Sequence, residues 1–168
     1  MYIIYKRRII RSENPLITVF PGICPQLIIM GIRENISMTV LEEARQYFAR
    51  DRYASEATGV VIEAVGPHYA KCSLKITERH LNALDFLMGG VVYTMADLTF
   101  AVSTNFRAER PTVTNVAQVS YLNPLAGDTI YSESRLLKDG KRVCFYEIRI
   151  WDNTGKDIAL VTMNGVYL

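Results

Sequence analysis

After residue 111 the chain is written almost entirely in strand. Four runs follow one another, Thr112–Tyr121, Asp128–Leu137, Arg142–Trp151 and Asp157–Tyr167. They are divided by Asn123-Pro124 with Gly127, by Asp139-Gly140 and by Asp152-Asn153-Thr154-Gly155. Turn residues at such short intervals send a chain back on itself, so the runs are expected to pair antiparallel. Upstream, Gly59–Val65 and Tyr69–Ile76 flank a Gly66-Pro67 turn and read as a hairpin. In the second of these, Tyr69, Lys71, Ser73 and Lys75 share one face, and Ala70, Cys72, Leu74 and Ile76 the other. Two segments have helical spacing. Leu41–Arg50 carries a stripe of Leu41, Ala44, Tyr47 and Phe48 behind a Thr39/Glu42 capping box. Gly89-Gly90 opens a longer one, Val91 to about Thr104. One long helix against one antiparallel sheet is an α+β architecture.

A chain of 168 residues that is 49% apolar has material for one core and too much of it for disorder. Its 19 Lys and Arg against 17 Asp and Glu leave a net charge of +2, without the lopsided basic balance of a nucleic-acid binder. Cys24, Cys72 and Cys144 are widely spaced and odd in number, which suits reduced thiols in a cytoplasmic protein. His68 and His80 are not at metal-ligand spacing, and no metal site is expected. Residues 1–37 read differently. Pro15, Pro21 and Pro25 interrupt their apolar stretch, whereas a membrane span needs about 20 apolar residues in one helix. No small-residue cleavage site follows as in a signal peptide. The segment is either a poorly ordered extension or the product of a start placed too early, with Met30 or Met38 the true one. The second reading is preferred, because the regular pattern begins after Ser37. The domain is expected to span residues 38–168, with residues 1–37 outside its core.

Asp97 is the one charged side chain of the longer helix. Aspartate is a poor helix former, and burying it is costly unless it is paired or protonated. Two readings stand: a structural carboxylate, solvated or hydrogen-bonded, and a general base with a raised pKa. At the helix start, unpaired N–H groups and the positive end of the dipole suit an oxyanion, and two glycines let a ligand come close. Gly-Gly is also a common turn or packing device. Gly89 and Asp97 lie eight positions apart, about 12 Å along the axis. A base and an oxyanion donor that serve one carbonyl each lie about 3 Å from it. If both act on one substrate, they come from two subunits, which predicts a dimer with composite sites.

The stretch His80-Leu81-Asn82-Ala83-Leu84-Asp85-Phe86-Leu87-Met88-Gly89-Gly90 and the helix as far as Asp97 resemble the signature of hotdog-fold thioesterases. The nearest branch is the phenylacetate-degradation, PaaI-like one, whose pattern is Asn, a spacer, His-Gly-Gly and a helix ending in Leu-Ala-Asp. Thr112-Val113-Thr114 and residues 119–129 resemble the strand, turn and strand that follow. The resemblance covers residues 38–168. It implies a hotdog fold, in which an antiparallel sheet wraps a long central helix. It implies Asp97 as the catalytic base or nucleophile. Gly89 supplies the N–H that polarises the thioester carbonyl, and Asn82 the amide that places the water or the carbonyl. It implies no metal or other cofactor, and a homodimer, commonly paired into a homotetramer. One position departs: Met88 stands where the family carries His, and methionine neither titrates nor donates a hydrogen bond.

The substrate implied is an acyl-CoA. Met88, Gly90, Tyr93 and Phe86 would contact it, with Leu87 and Phe100 as further pocket candidates, although apolar side chains such as these also suit a core. Arg107 and Lys141, among loop cations that include Arg110, Lys138 and Arg142, would meet its anionic end, unless they are ordinary solvated charges. His80 reads as a surface histidine at a strand end. The expected activity is hydrolysis of acyl-CoA or aryl-acyl-CoA thioesters. The alternative is an acyl-CoA binder without turnover, which Met88 favours and Asp97 opposes. A hydratase would need a His in a register that neither His68 nor His80 occupies. A DNA-binding regulator would need a basic helix-turn-helix that residues 1–37 lack.

Overall fold

The computed structural model describes residues 2–5, 8–11 and 38–168. The chain divides into two units, Met1–Ser37 and Met38–Leu168. In the first, β1 (Tyr2–Tyr5) and β2 (Arg8–Arg11) pair antiparallel, Tyr2 opposite Arg11. The expectation of a poorly ordered extension otherwise falls outside the described residues, as does Cys24.

The second unit opens with helix α1 (Val40–Phe48), which buries Ala44 and Phe48. Its capping box forms as expected: the Thr39 hydroxyl accepts the Glu42 N–H at 3.2 Å, and the Glu42 carboxylate accepts the Thr39 N–H at 2.8 Å. A π-helical turn, Tyr53–Thr58, follows, which no spacing rule had flagged. Strands β3 (Val61–Gly66) and β4 (Tyr69–Lys75) form the expected hairpin, with Ala70, Cys72 and Leu74 buried on one face. Helix α2 (Gly89–Asn105) comes next, then β5 (Thr112–Tyr121), β6 (Thr129–Asp139), β7 (Val143–Asp152) and β8 (Asp157–Tyr167).

Six strands form one antiparallel sheet in the order β3-β4-β6-β7-β8-β5. That order corrects one reading. The Asn123-Pro124 turn does not join neighbours, and β5 pairs instead with β8, Thr112 opposite Tyr167 and Tyr121 opposite Ala159. The connection is held across the sheet edge, where the N–H groups of Leu122 and Asn123 reach the Ile158 carbonyl at 2.9 and 3.4 Å. β3 and β5 are left as the two edges.

Helix α2 touches all six strands. Its buried side chains, among them Val92, Met95, Phe100 and Val102, meet Leu74, Ile130, Ile148 and Ile150 in one core. Phe100 lies in that core and not in a pocket, edge-on to Tyr146 with ring centroids 5.4 Å apart. Burying such a ring contributes about 3 kcal/mol. Gly165 makes room for it, since a Cβ there would lie 2.7 Å from the Phe100 ring. The polar groups on the buried face of α2 pair with β6, Thr99 with Ser132 at 2.6 Å and Ser103 with Ser134 at 2.7 Å, so their burial leaves nothing unsatisfied. This helix and its wrapping sheet are the hotdog fold.

Candidate active site

Residues 81–88 form a closed loop that delivers the start of α2. Asn82 Oδ1 accepts the N–H groups of Leu84 at 2.9 Å and Phe86 at 3.2 Å. The Asn82 N–H reaches Phe86 O, and the Met88 N–H reaches His80 O. Asp85 takes a left-handed φ of 59° at the tip. The Asn82 side-chain oxygen is thus committed to the loop. Met88 stands at the N-cap, where Ser or Asp would bond the first-turn amides, and makes no such bond. Val91 N–H turns back to Met88 O at 3.0 Å, while those of Gly89 and Gly90 donate to no group among the described residues.

Beside this helix start lies a cleft of about 580 Å³. Gly89, Phe86 and Leu87 line one side, and Tyr121, Leu122 and Leu125 the other. Phe86 thus lines the cleft, and so does Tyr121, which the sequence did not single out. The Tyr121 hydroxyl donates to the Gly89 carbonyl at 3.0 Å. It approaches so closely that a Cβ on Gly89 would lie 2.6 Å from its oxygen. Asp152 pins the far end of the same turn. Fully buried, it accepts the N–H groups of Ala126 at 2.9 Å and Gly127 at 3.0 Å, with further donors from Thr154 and Lys156. Burial works against its charge, but these donors overcome that and hold its carboxyl far below the usual range.

Asp97 sits two turns further along α2, on the stripe with Gly90, Tyr93 and Ala101 that the sheet leaves open. Its Oδ1 accepts the Thr114 hydroxyl at 3.0 Å. Desolvation raises its pKa, the Thr114 bond pulls it down, and the charge of Asp51 raises it again, with a net upward shift. No cation is paired with it among the described residues. A half-buried carboxylate without a counter-charge is a stronger base than an ordinary one. Thr114 was not foreseen, because a partner 17 positions away on another strand leaves no local spacing signal.

Other candidates lie elsewhere. Arg107 follows the last turn of α2 and pairs with Glu43 of α1. Lys141 is in the β6–β7 turn, its carbonyl held by Arg110 at 2.6 Å. Within one chain Arg107 is at the opposite end of α2 from Gly89, about 26 Å along the axis. His80 is corrected: it is 3% exposed. Nδ1 accepts the Thr77 N–H at 3.0 Å and Nε2 meets the Thr58 carbonyl at 2.9 Å, which fixes the proton on Nε2. It ties the π-helical turn to the loop that carries Asn82. Cys72 and Cys144 are buried free thiols, raised by burial.

Residues 84–159 match the family model described as Thioesterase superfamily. Human acyl-coenzyme A thioesterase 13 is 30% identical over 134 residues, 77% of this chain and 89% of the relative. The acyl-coenzyme A thioesterase PaaI of Escherichia coli strain K12 is 27% identical over 120 residues, 71% and 84% of the two chains. A solved structure of the E. coli PaaI protein from the phenylacetic acid degradation operon superposes with a TM-score of 0.66 at 24% identity. That superposition covers 76% of this chain and 96% of that one.

Proposed function

Because the chain belongs to the thioesterase superfamily, in its PaaI-like, hotdog-fold branch, we propose that it hydrolyses acyl-CoA thioesters at a site shared by two copies of itself. One observation carries the reading: a half-buried carboxylate, Asp97, with a raised pKa and no counter-charge among the described residues, lies on the stripe of α2 that the sheet leaves open. Among the described residues Asp97 accepts one hydrogen bond, from Thr114, whereas the structural carboxylate Asp152 has donors on both of its oxygens.

The chemistry follows from placement. Asp97 takes a proton from water as it adds to the thioester carbonyl, or adds to the carbonyl itself. Charge develops on the carbonyl oxygen, and the Gly89 N–H, uncapped and at the positive end of α2, stabilises it. The Asn82 NH₂ of the same chain orients the water or the carbonyl. As the tetrahedral centre collapses the C–S bond breaks, and CoA leaves as the thiolate and is protonated; where Asp97 itself has added, water then cleaves the mixed anhydride between the acyl group and Asp97, which releases the acid and restores the carboxylate.

The two halves are too far apart along α2 to meet within one chain, so Asp97 of one copy serves Gly89 of another. The surface beside Asp97 suits such a partner. Tyr93, Val113 and Val116 are exposed there and Tyr121 and Leu122 toward the Gly89 end, and among the described residues β5 presents a free edge. A homodimer, or a homotetramer built from two, follows. Tyr93, Gly90 and Met88 then border the substrate, and Arg107 or Lys141 meets the CoA phosphates from another copy. Among the described residues no helix is long and apolar enough to cross a membrane, and a cytoplasmic location is part of the proposal.

Met88 favours a second reading, acyl-CoA binding without turnover, since the polarising His of the family is missing. One assay separates the two: thiol release from a panel of acyl- and aryl-acyl-CoA esters, followed with 5,5′-dithiobis(2-nitrobenzoate), for wild type and Asp97→Asn. Hydrolysis in the wild type that falls about 10²–10⁴-fold in the variant is expected. Tight ester binding with no thiol released by either protein would establish the binder.

A further inference from the structure

The Tyr121 hydroxyl has one hydrogen-bond partner among the described residues, the carbonyl oxygen of Gly89. That oxygen and the N–H of Gly90 are the two ends of a single peptide unit. Resonance couples them: a proton donated to the oxygen draws electron density from the nitrogen and makes its N–H a stronger donor. The Gly90 N–H donates to no group among the described residues, and Gly90 is exposed on the open stripe of α2. Tyr121 itself ends the edge strand β5 and stands against the cleft that Gly89 lines.

Resting on the thioesterase reading, we propose that Tyr121 is a positioning residue for the oxyanion. Through the Gly89–Gly90 peptide it strengthens the Gly90 N–H, which acts beside the Gly89 N–H as a second donor to the thioester oxygen. As the carbonyl carbon gains its bond to the incoming oxygen, its π electron pair moves onto the carbonyl oxygen, and both amides receive it. When the pair returns and the C–S bond breaks, both amides are released. In a site whose N-cap residue is Met88, with no proton to give, a second backbone donor supplies polarisation that the missing His does not.

The test is steady-state thiol release by the full chain on its best acyl-CoA ester. Four variants are compared: Tyr121→Phe, Gly90→Ala, Gly90→Pro and the double variant Tyr121→Phe/Gly90→Pro. Proline deletes the amide proton in the first helical turn, where its ring is tolerated. Alanine at the same position keeps the proton and is the reference. Gly90→Pro is expected to turn over about a hundredfold more slowly than Gly90→Ala. Tyr121→Phe is expected to lose about threefold to tenfold in kcat with KM little changed. In the Gly90→Pro background the Tyr121 change is expected to add nothing, because the group it acts through is gone. A wall or packing role for Tyr121 would instead lower kcat by the same factor in both backgrounds. Equal loss in both backgrounds, or Pro and Ala equally active, overturns the proposal while leaving the thioesterase intact. If Gly90→Pro does not fold, an unchanged kcat in Tyr121→Phe overturns it alone. A wild-type chain inactive on every ester overturns the functional reading, and this one with it.

Discussion

At the scale of single residues, Asp97 carries the most consequence, and under the proposed function it trades stability for chemistry. Desolvation raises its folded pKa, so the folded state prefers the protonated form. The stability linked to this group is therefore fully present below its unfolded pKa and is lost as pH rises through the folded one. Asp97→Asn is expected to melt higher than wild type at pH 7, with the gap closing toward pH 3 in a thermal-unfolding series. In kcat/KM, the wild-type rate is expected to fall on acidification at a pH above the usual carboxylate range. Asp97 was legible because a lone carboxylate in an apolar helix is anomalous without any neighbour in view. Thr114 and Tyr121 were not, since each reaches the site across the sheet. His80 misled for a related reason: its polarity reads as surface, and only the fold shows Thr77 and Thr58 satisfying both ring nitrogens.

Among elements, the turn between β5 and β6 matters most, because it walls the cleft and carries the chain from the β5 edge past β8 and β7 to the interior of the sheet. Asn123-Pro124 reads as a hairpin turn in sequence; the crossover comes from β5 pairing with β8, which turn residues do not encode. The periodicities that depend on one element alone, the β4 alternation and the α1 capping box, were legible in full. Asp152 holds the crossover in place, and Asp152→Asn puts an NH₂ among N–H donors. The variant is expected to lose about 3 kcal/mol in urea unfolding. The linkage has the opposite sign to that of Asp97. With the folded pKa depressed, the stability from Asp152 is present above its unfolded pKa of about 3.9 and is lost as pH falls toward the folded one. Wild type and variant are expected to converge only in strong acid.

For the whole molecule, residues 38–168 contain the sheet, the helix it wraps and every candidate site residue. A chain starting at Met38 is expected to keep the melting temperature and thiol-release rate of the full protein. A drop of more than about 5 °C, roughly 1 kcal/mol for a domain of this size, would make residues 1–37 part of the fold. The spacing of Gly89 and Asp97 along α2 has one more consequence, in the genetics of the molecule. If each site borrows its carboxylate from one copy and its amide from another, two dead variants can rescue each other. Gly89→Pro is a suitable second variant, because Met88 before it is already extended and proline is favoured at a first helical position; its Cβ also displaces the Tyr121 hydroxyl of the same chain, which leaves the site fed by the other chain's Gly89 untouched. Refolded together in equal amounts, Asp97→Asn and Gly89→Pro chains would pair at random. About half of the dimers would be mixed, each with one intact site, and about a quarter of wild-type activity would return from two inactive preparations.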